Sequence, residues 1–295
     1  MTCRIAVLLT CHNRRCHTVE CLRLLAVQTL PPRLRVRVFL VDDGSTDGTA
    51  EAIRMEFPDA YVIPGSGQLY WNGGIRLALS VALAEAVDFY FLLNDDTKLF
   101  PHALASLLDT ACQVSDDGRC PAIVVGSTKD PFDRRLSYGG YRRQGWKALD
   151  FVKVNPQDQP IPCDTFNGNC VLIPRVVMES LGNLDAAFTH SMGDMDLGLR
   201  ARQLGFEIWM APGYVGTCEA NSGCGLWTDK SLPIRKRWQL LLGSKGLPPR
   251  EWRVFTARHA GPLWPLYWVN PFVKFWFHAL ACPRRLNRKW NGETE

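Results

Sequence analysis

The sequence lacks the features that mark several common classes of protein. None of its 11 cysteines forms a C-x-x-C pair, which argues against a zinc framework of that type. Its 34 basic and 29 acidic residues leave a net charge of only +5, too little to indicate a general nucleic-acid binder. Residues 1–10 show no signal-peptide pattern, and no apolar run is uninterrupted over the thickness of a bilayer. We therefore expect a cytoplasmic protein with reduced cysteines.

Several catalytic motifs are absent as well. Residues 65–74 (GSGQLYWNGG) are rich in glycine but match neither the dinucleotide-binding fingerprint nor the P-loop. Because G-x-S-x-G and H-E-x-x-H are also missing, serine-hydrolase and zinc-protease interpretations have no motif support. There is no fixed-period repeat of the kind that marks a solenoid or a propeller.

Short apolar runs alternate with segments of helical spacing. The runs predict buried strands at residues 5–9, 36–41, 60–63 and 89–93, and the spacing predicts helices at 18–28, 50–57, 75–86 and 101–112. This alternation favours an α/β fold with a mostly parallel sheet and helices on both faces. Later residues predict strands at 122–126, 171–173 and 208–211, a helix at 194–204, and a hairpin or loop at 130–146.

Polar residues follow three of the predicted strands, in turns at residues 10–15, 42–47 and 94–97. In an open α/β sheet, ligands bind outside the carboxyl ends of the strands. We therefore expect these three turns to form one cleft.

The acidic residues of these turns have two interpretations each. Asp95 and Asp96 could engage a divalent cation or a sugar hydroxyl, or belong to a solvated turn. Asp42 and Asp43 could accept hydrogen bonds from a base or a ribose, or belong to a turn in which Ser45, Thr46 and Asp47 cap the next helix.

Two further segments carry candidate residues. Asp194 stands at a predicted helix start, where it could serve as a general base or cap the helix, and Asp196 could pair with Arg200. The glycines of residues 65–74 precede a predicted helix and suit a phosphate or a sugar, with Tyr70 and Trp71 beside them.

Taken together, these segments resemble family 2 glycosyltransferases, inverting enzymes with the GT-A fold. The resemblance extends over roughly residues 4–222, and within the family it is to bacterial cell-surface enzymes such as rhamnosyl and galactofuranosyl transferases. It rests on an ordered set of segments: 6–14 (AVLLTCHNR), 40–49 (LVDDGSTDGT), 65–75 (GSGQLYWNGGI), 92–97 (LLNDDT), 166–174 (FNGNCVLIP) and 193–201 (GDMDLGLRA).

The resemblance implies transfer of a sugar from a UDP- or dTDP-linked donor to a hydroxyl of a growing glycan or a polyprenyl-linked acceptor. It implies that Asp194 is the catalytic base, and that Asp96 binds Mg²⁺ or Mn²⁺. It also implies a larger set of residues that would bind the nucleotide and the donor: Thr10, His12, Asn13, Arg14, Asp42, Asp43, Trp71, Asn72, Gly73, Gly74, Asn94 and Asp95.

The sequence departs from the family's pattern at three positions. Asn94 stands where the metal-binding motif has its first aspartate, and Gly193 replaces the acidic first member of the catalytic pair. Cys218, four residues before Ser222, stands where the family often has a histidine ligand, and a thiol suits Mg²⁺ or Mn²⁺ poorly.

The C-terminal part has a composition of its own, so we predict a glycosyltransferase domain at 1–231 and an extension at 232–295. The extension interleaves Trp with Lys and Arg, and its apolar stretch 261–282 contains prolines that make it a poor transmembrane helix. It could dock on the inner face of the membrane, pack on the main domain, or contact a second copy of the chain. Stacking on RNA has no other support here.

Two other classes of function remain open at this point. A metal-dependent nucleotidyltransferase would also use carboxylates at strand ends, but it would need a basic glycine-rich loop, and residues 10–15 contain no glycine. A non-catalytic nucleotide-sugar-binding module would tolerate loss of Asp194.

Overall fold

The fold is taken from a computed structural model that describes residues 3–115, 121–220 and 225–281, with side chains up to residue 277. The chain divides into two compact units, Met1–Ser222 and Gly223–Glu295.

The first unit alternates strands and helices along its first half and is richer in short strands along its second. Its strands are β1 Cys3–Cys11, β2 Leu34–Asp42, β3 Tyr61–Pro64, β4 Phe89–Leu93, β5 Lys98–Leu99, β6 Ile123–Val125, β7 Thr128–Lys129, β8 Leu136–Tyr138, β9 Gly140–Arg143, β10 Phe151–Lys153, β11 Ile161–Pro162, β12 Thr165–Phe166, β13 Cys170–Pro174, β14 Ile208–Met210 and β15 Gly216–Thr217. Its helices are α1 Arg15–Ala26, α2 Thr49–Glu56, α3 Tyr70–Ala82, α4 Ala103–Ser115, α5 Arg175–Leu181 and α6 Gly193–Gln203.

Eight strands form the central sheet in the order β11-β14-β6-β13-β4-β1-β2-β3. The strands β4, β1, β2 and β3 run parallel to one another, and β14 runs parallel to β6. In contrast, β13 is antiparallel to both β4 and β6, and β11 is antiparallel to β14. Two smaller sheets, β10-β9-β12 and β5-β15-β7-β8, complete the unit.

Helices cover both faces of the central sheet, as the sequence predicts. Along β1, Ala6 and Leu8 lie in one hydrophobic cluster, and Ile5, Val7 and Leu9 lie in another. The first cluster includes residues of α3, α5 and α6, and the second includes residues of α1, α2 and α4. Burial on both faces explains why the strands are continuous apolar runs, with each buried Leu or Ile contributing about 1.5–3 kcal/mol.

The largest boundary error in the prediction is at α3, which begins at Tyr70 and not at Ile75. The Asp43 carboxylate accepts the backbone N–H groups of Leu69 and Tyr70, at 2.8 and 3.0 Å. This cap comes from the loop after β2, so the residues around the helix start do not reveal it.

Several other elements differ from the sequence prediction. The helix α5 and the short strands β5, β7, β10, β11, β12 and β15 were not predicted. The predicted hairpin or loop at 130–146 contains β8 and β9, which belong to different sheets and do not pair with each other.

The second unit contains α7 Ile234–Leu242, α8 Pro249–His259, a short 3₁₀ turn Gly261–Leu263 and α9 Trp264–Ala281. Its tryptophans pack within the unit: the Trp238 ring contacts those of Phe272 and Phe275. The Trp268 indole N–H donates to the Pro249 carbonyl at 3.0 Å, which holds α9 against α8. None of the helices in the described ranges is long and apolar enough to cross a membrane.

Some predicted features lie outside the described residues. They are Ser222 and the basic and aromatic positions Arg284, Arg285, Arg288, Lys289 and Trp290. The eight cysteines that the structure describes form no disulfide with one another.

Candidate active site at the carboxyl edge of the central sheet

The loops after β1 and β2 are tied to one another. His12 Nδ1 donates to the Asp43 carbonyl at 2.6 Å, which leaves Nε2 to accept from the Asn13 amide at 3.1 Å. The Asn13 side-chain oxygen accepts the Thr46 N–H at 2.7 Å, and its own backbone N–H donates to Ser45 Oγ at 2.9 Å. Asn13 has φ of 53°, a left-handed conformation that asparagine tolerates well. Together these bonds fix the position of the two predicted nucleotide-binding loops.

The two aspartates after β2 bind backbone N–H groups. Besides its bonds to Leu69 and Tyr70, Asp43 accepts the Gly67 N–H at 2.7 Å, so its carboxylate organises the whole 65–70 loop. Asp42 accepts the Ser45 N–H at 3.0 Å. Asp42 thus closes the turn before α2 and Asp43 caps α3, whereas Asp47 accepts the Thr49 N–H at 3.1 Å at the start of α2, as the capping interpretation predicts. A direct contact of Asp42 or Asp43 to a nucleotide remains a prediction.

The first turn of α3 packs closely on β1. A Cβ atom at Gly74 would lie 2.6 Å from Thr10 Cβ, so only glycine fits there without a shift, while Gly73 lies against Leu69. Asn72 is fully buried, and its amide donates to the carbonyls of Asp185 and Phe188 at 2.9 and 2.6 Å. Asn72 is thus an interior residue, although the sequence places it among the donor-binding residues.

Trp71 is the residue of this turn that reaches the polar strand ends. Its indole N–H donates to Asn94 Oδ1 at 2.7 Å. The outer carbons of its ring lie over Gly168. A Cβ atom added to Gly168 would be 2.5 Å from Trp71 Cη2 and 3.4 Å from Asp194 Cβ. Trp71 therefore links the segment after β4 to the segment that carries Asp194.

Arg14 joins the two carboxylates that follow β4. Its guanidinium lies 3.3 Å from Asp95 Oδ1 and 2.7 Å from Asp96 Oδ2. Burial raises the pKa of Asp95 to about 7, although the Arg14 charge opposes the shift. The Asp96 side chain is 25% exposed, against 7% for Asp95. Asp96 is therefore the carboxylate of the pair that a ligand can reach more easily.

Cys218 completes the surroundings of Asp96. Its sulfur lies 3.4 Å from Asp96 Oδ1 and 3.5 Å from the Asn169 amide nitrogen. Burial, with a further contribution from the Asp96 charge, raises the pKa of the Cys218 thiol well above its usual range. In this arrangement the thiol donates to the Asp96 carboxylate.

The side chains around Asp96 fit a divalent cation as a shared site. No cluster of three or more His, Cys, Asp or Glu suited to a metal occurs among the described residues. Mg²⁺ and similar ions are commonly held by one or two carboxylates, with substrate phosphates supplying further oxygens. Asp96 matches that arrangement as the carboxylate. The Asn94 amide oxygen is already engaged, because it accepts the Trp71 N–H.

Asp194 is the second residue of α6, which Met192 precedes as the N-cap residue with a φ of 70°. Its Oδ2 accepts the Gly168 N–H at 2.9 Å and its Oδ1 accepts the Met195 N–H at 2.8 Å. Burial raises the pKa of Asp194, whereas these N–H groups and the Asn167 side chain lower it. The carboxylate is thus oriented by backbone groups on both of its oxygens.

Two neighbours of Asp194 have structural roles. Asp196 is fully buried and pairs with Arg200 at 2.8 Å, as its spacing predicts. A Cβ at Gly193 would lie 2.7 Å from Asn72 Cγ, so the Asn72 amide fills the space beside this position. This packing explains why the chain has no acidic side chain before Asp194.

Tyr141 was not among the site residues predicted from the sequence. Its hydroxyl donates to Asn167 Oδ1 at 2.9 Å. Asn167 in turn bonds to Asp194, and the Asp194 charge adds to the burial that raises the pKa of Tyr141 to about 12. The polar segment 166–169 before β13 is the signal that could have indicated Asn167 and Gly168. Tyr141 carries no such signal, because only the pairing of β9 with β12 brings it near.

This α/β architecture, with acidic and amide side chains gathered at one sheet edge, defines a GT-A glycosyltransferase fold. The chain belongs to glycosyl transferase family 2, whose sequence model matches residues 6–181. The family and the fold class expected from the sequence are therefore confirmed.

Two curated relatives come from Mycobacterium tuberculosis. An N-acetylglucosaminyl-diphospho-decaprenol L-rhamnosyltransferase is 26% identical over 220 residues, which cover 67% of this chain and 69% of the relative. An uncharacterised protein is 25% identical over 150 residues, or 50% of this chain and 52% of that protein.

The fold is shared with solved structures. Among them is a mannosyltransferase from Pyrobaculum calidifontis in complex with GDP-mannose and Mn²⁺, with a TM-score of 0.54 and 18% identity. The match covers 96% of this chain and 77% of that one.

Proposed function

We propose that this glycosyltransferase moves a sugar from a UDP- or dTDP-linked donor to a hydroxyl of a lipid-linked or growing cell-surface glycan, with inversion at the anomeric carbon. The observation that carries this proposal is the placement of Asp194. It is a carboxylate with both oxygens oriented by backbone N–H groups, connected through Gly168 and Trp71 to the polar end of β4.

In this proposal Asp194 accepts the proton of the acceptor hydroxyl while the oxygen attacks the anomeric carbon. Each Asp194 oxygen accepts one backbone N–H, which leaves further lone-pair directions for the hydroxyl. Burial favours the neutral carboxyl, so the carboxylate is more basic than one in water. A single displacement from the face opposite the leaving group inverts the configuration and needs no covalent intermediate.

The electrostatic balance near Asp96 supports the expected Mg²⁺ or Mn²⁺. Asp95 and Asp96 share one guanidinium, that of Arg14, so this cluster holds no spare positive charge for a donor diphosphate. Asp96 would hold the cation together with diphosphate oxygens. When bound, the cation would offset the charge of the departing nucleoside diphosphate. The Mn²⁺ in the Pyrobaculum mannosyltransferase complex is consistent with this assignment.

The tied loops after β1 and β2 are the proposed nucleotide-binding surface. His12, Asn13 and Arg14 lie on the first loop, and Asp43 fixes the second loop to the start of α3. Their rigidity would limit the entropy lost on binding a base and a ribose.

The mycobacterial relative is named for a rhamnose transfer to a decaprenyl-diphosphate glycolipid. We accordingly propose a polyprenyl-linked acceptor and a site of action at the cytoplasmic face of a membrane, with a dTDP-linked deoxyhexose as the first donor to test.

A donor screen followed by product analysis tests the proposal. Thermal unfolding is measured with UDP- and dTDP-sugars, with and without Mn²⁺, and binding at a hundredfold excess over Kd should stabilise the protein by about 2.7 kcal/mol. NMR of the product should then show the anomeric configuration inverted. A product with retained configuration, or transfer of the nucleotidyl group, would contradict the proposal.

A further inference from the structure

The helix α9 has an apolar face that is exposed to solvent. Leu266 is 67% exposed and Val273 is 58% exposed, and Val269 and Trp276 also lie at the surface. These residues recur every three or four positions, so they share one side of the helix. Leu263, in the preceding turn, is exposed as well. We call Leu263, Leu266, Val269, Val273 and Trp276 the α9 face.

The other side of α9 is well packed, so the exposure of the α9 face does not come from a loose helix. Phe275 is buried and packs on the Trp238 ring, which the Trp276 ring also contacts although Trp276 stays 45% exposed. The Trp268 indole N–H bonds to Pro249, and the Trp252 indole N–H bonds to the Tyr267 carbonyl at 3.3 Å. The α9 face is therefore presented outward by a helix that is fixed to α7 and α8.

The sequence that contains the α9 face is strongly basic. Residues 232–281 contain a single acidic residue, Glu251, against eight basic ones: Arg235, Lys236, Arg237, Lys245, Arg250, Arg253, Arg258 and Lys274. Lys274 is exposed next to Val273, and the Arg253 guanidinium lies 6.0 Å from the Trp264 ring centroid. An apolar helix face with Trp and surrounding Lys and Arg is the arrangement of helices that lie in the plane of an anionic membrane surface.

We propose that the α9 face inserts into the boundary between headgroups and acyl chains of an anionic bilayer, and thereby holds the enzyme beside its acceptor. The proposal rests on the proposed function in one respect, the lipid-linked acceptor that gives such docking its purpose. Because no described helix can cross a membrane, α9 would lie on the surface and not span it. A second copy of the chain, or residues outside the described ranges, are the competing partners for this face.

Vesicle sedimentation of the full-length chain tests the docking. The wild type should bind phosphatidylglycerol-containing vesicles more tightly than pure phosphatidylcholine vesicles, and added salt should weaken the binding. Burial of one Leu or Val side chain shifts such an equilibrium by roughly tenfold or more. The double variant Leu266→Ser/Val273→Ser should therefore bind at least about tenfold less tightly.

The matched control is Met55→Ser/Phe132→Ser, since both residues are at least 80% exposed and lie in the first unit. It should bind vesicles like the wild type. The charge variant Lys274→Glu, which leaves the apolar face intact, should weaken binding to anionic vesicles only. Unfolding temperatures of all variants are measured alongside, and transfer to a water-soluble acceptor should be unchanged.

Three outcomes would overturn the docking proposal. The first is a double variant that binds vesicles as tightly as the wild type does. The second is a wild-type protein that stays monomeric and does not bind the vesicles. The third is a dimer, detected by light scattering, that the double variant dissociates. A failure of the proposed function would show itself separately, as absence of sugar transfer to the soluble acceptor by the wild type.

Discussion

Substitution of Gly168 by alanine perturbs the contact between Gly168 and Trp71. This contact connects the segment after β4 to the segment that carries Asp194. The added Cβ would lie 2.5 Å from Trp71 Cη2, a distance at which the indole must move. Overpacking of this kind costs about 1–3 kcal/mol. If the ring moves off Asn94, the loss of its 2.7 Å hydrogen bond adds about 0.5–1.5 kcal/mol.

We therefore expect Gly168→Ala to lower the free energy of unfolding of the first unit by about 2–3 kcal/mol. Sugar transfer should fall as well, because the Gly168 N–H orients Asp194. Gly243→Ala is the control, since its added Cβ would have its nearest neighbours at 3.4 Å, an ordinary contact. Calorimetric unfolding and steady-state kinetics of both variants give the two readouts.

A double-mutant cycle isolates the contact itself. Trp71→Phe removes both outer ring carbons that the new methyl group would meet, so Gly168→Ala should cost at least about 1 kcal/mol less in that background than in the wild type. Equal costs in the two backgrounds would refute the reasoning, because they would mean that Trp71 and Gly168 do not constrain each other.

Three further outcomes are expected. Burial raises the pKa of Asp194, so the ionised base is present only above that raised pKa. We therefore expect kcat on a soluble acceptor to rise with pH through a midpoint above the usual carboxyl range. A midpoint at the ordinary carboxyl value would contradict this. Tyr141→Phe removes the donor to Asn167 and should lower kcat several-fold without changing the KM for the donor. The control Tyr214→Phe should leave both kcat and KM unchanged. Since Asp96 is the one carboxylate proposed to hold the cation and Arg14 already binds it, calorimetry should detect Mn²⁺ binding only when the nucleoside diphosphate is present. Tight binding by the enzyme alone would argue against a shared site.

The central strands β1, β4 and β13 were predictable because they are buried on both faces, whereas the short strands of the two smaller sheets were mostly missed. The run at Phe89–Leu93 coincides with β4, and the runs in β1 and β2 fall inside strands of nine residues. The orientation of β13 was not accessible, since a short apolar run reads the same in a parallel and an antiparallel pairing. Helix boundaries were missed where the cap comes from a distant segment, as Asp43 shows for α3.

The sequence was enough to predict which segments form the candidate site. It was not enough to predict which side chains contact one another there. The acidic positions at residues 95, 96 and 194 could be selected because such residues gather at the carboxyl edge of an α/β sheet. Two structural facts required the three-dimensional arrangement: Arg14 reaches both carboxylates after β4, and Asn72 turns inward to the Asp185 and Phe188 carbonyls. These contacts join residues dozens of positions apart, and no local pattern encodes them.

The central claim, that Asp194 is the general base, is tested most directly by single-turnover transfer with Asp194→Asn. Asparagine preserves the shape of the side chain but cannot accept the proton, so donor affinity and unfolding temperature should stay close to wild type. The rate of transfer should fall at least about a hundredfold, the lower range of general-base catalysis. Asp59→Asn, at an exposed carboxylate in the turn before β3, should leave the rate unchanged. A rate for Asp194→Asn within a few-fold of wild type would contradict the claim.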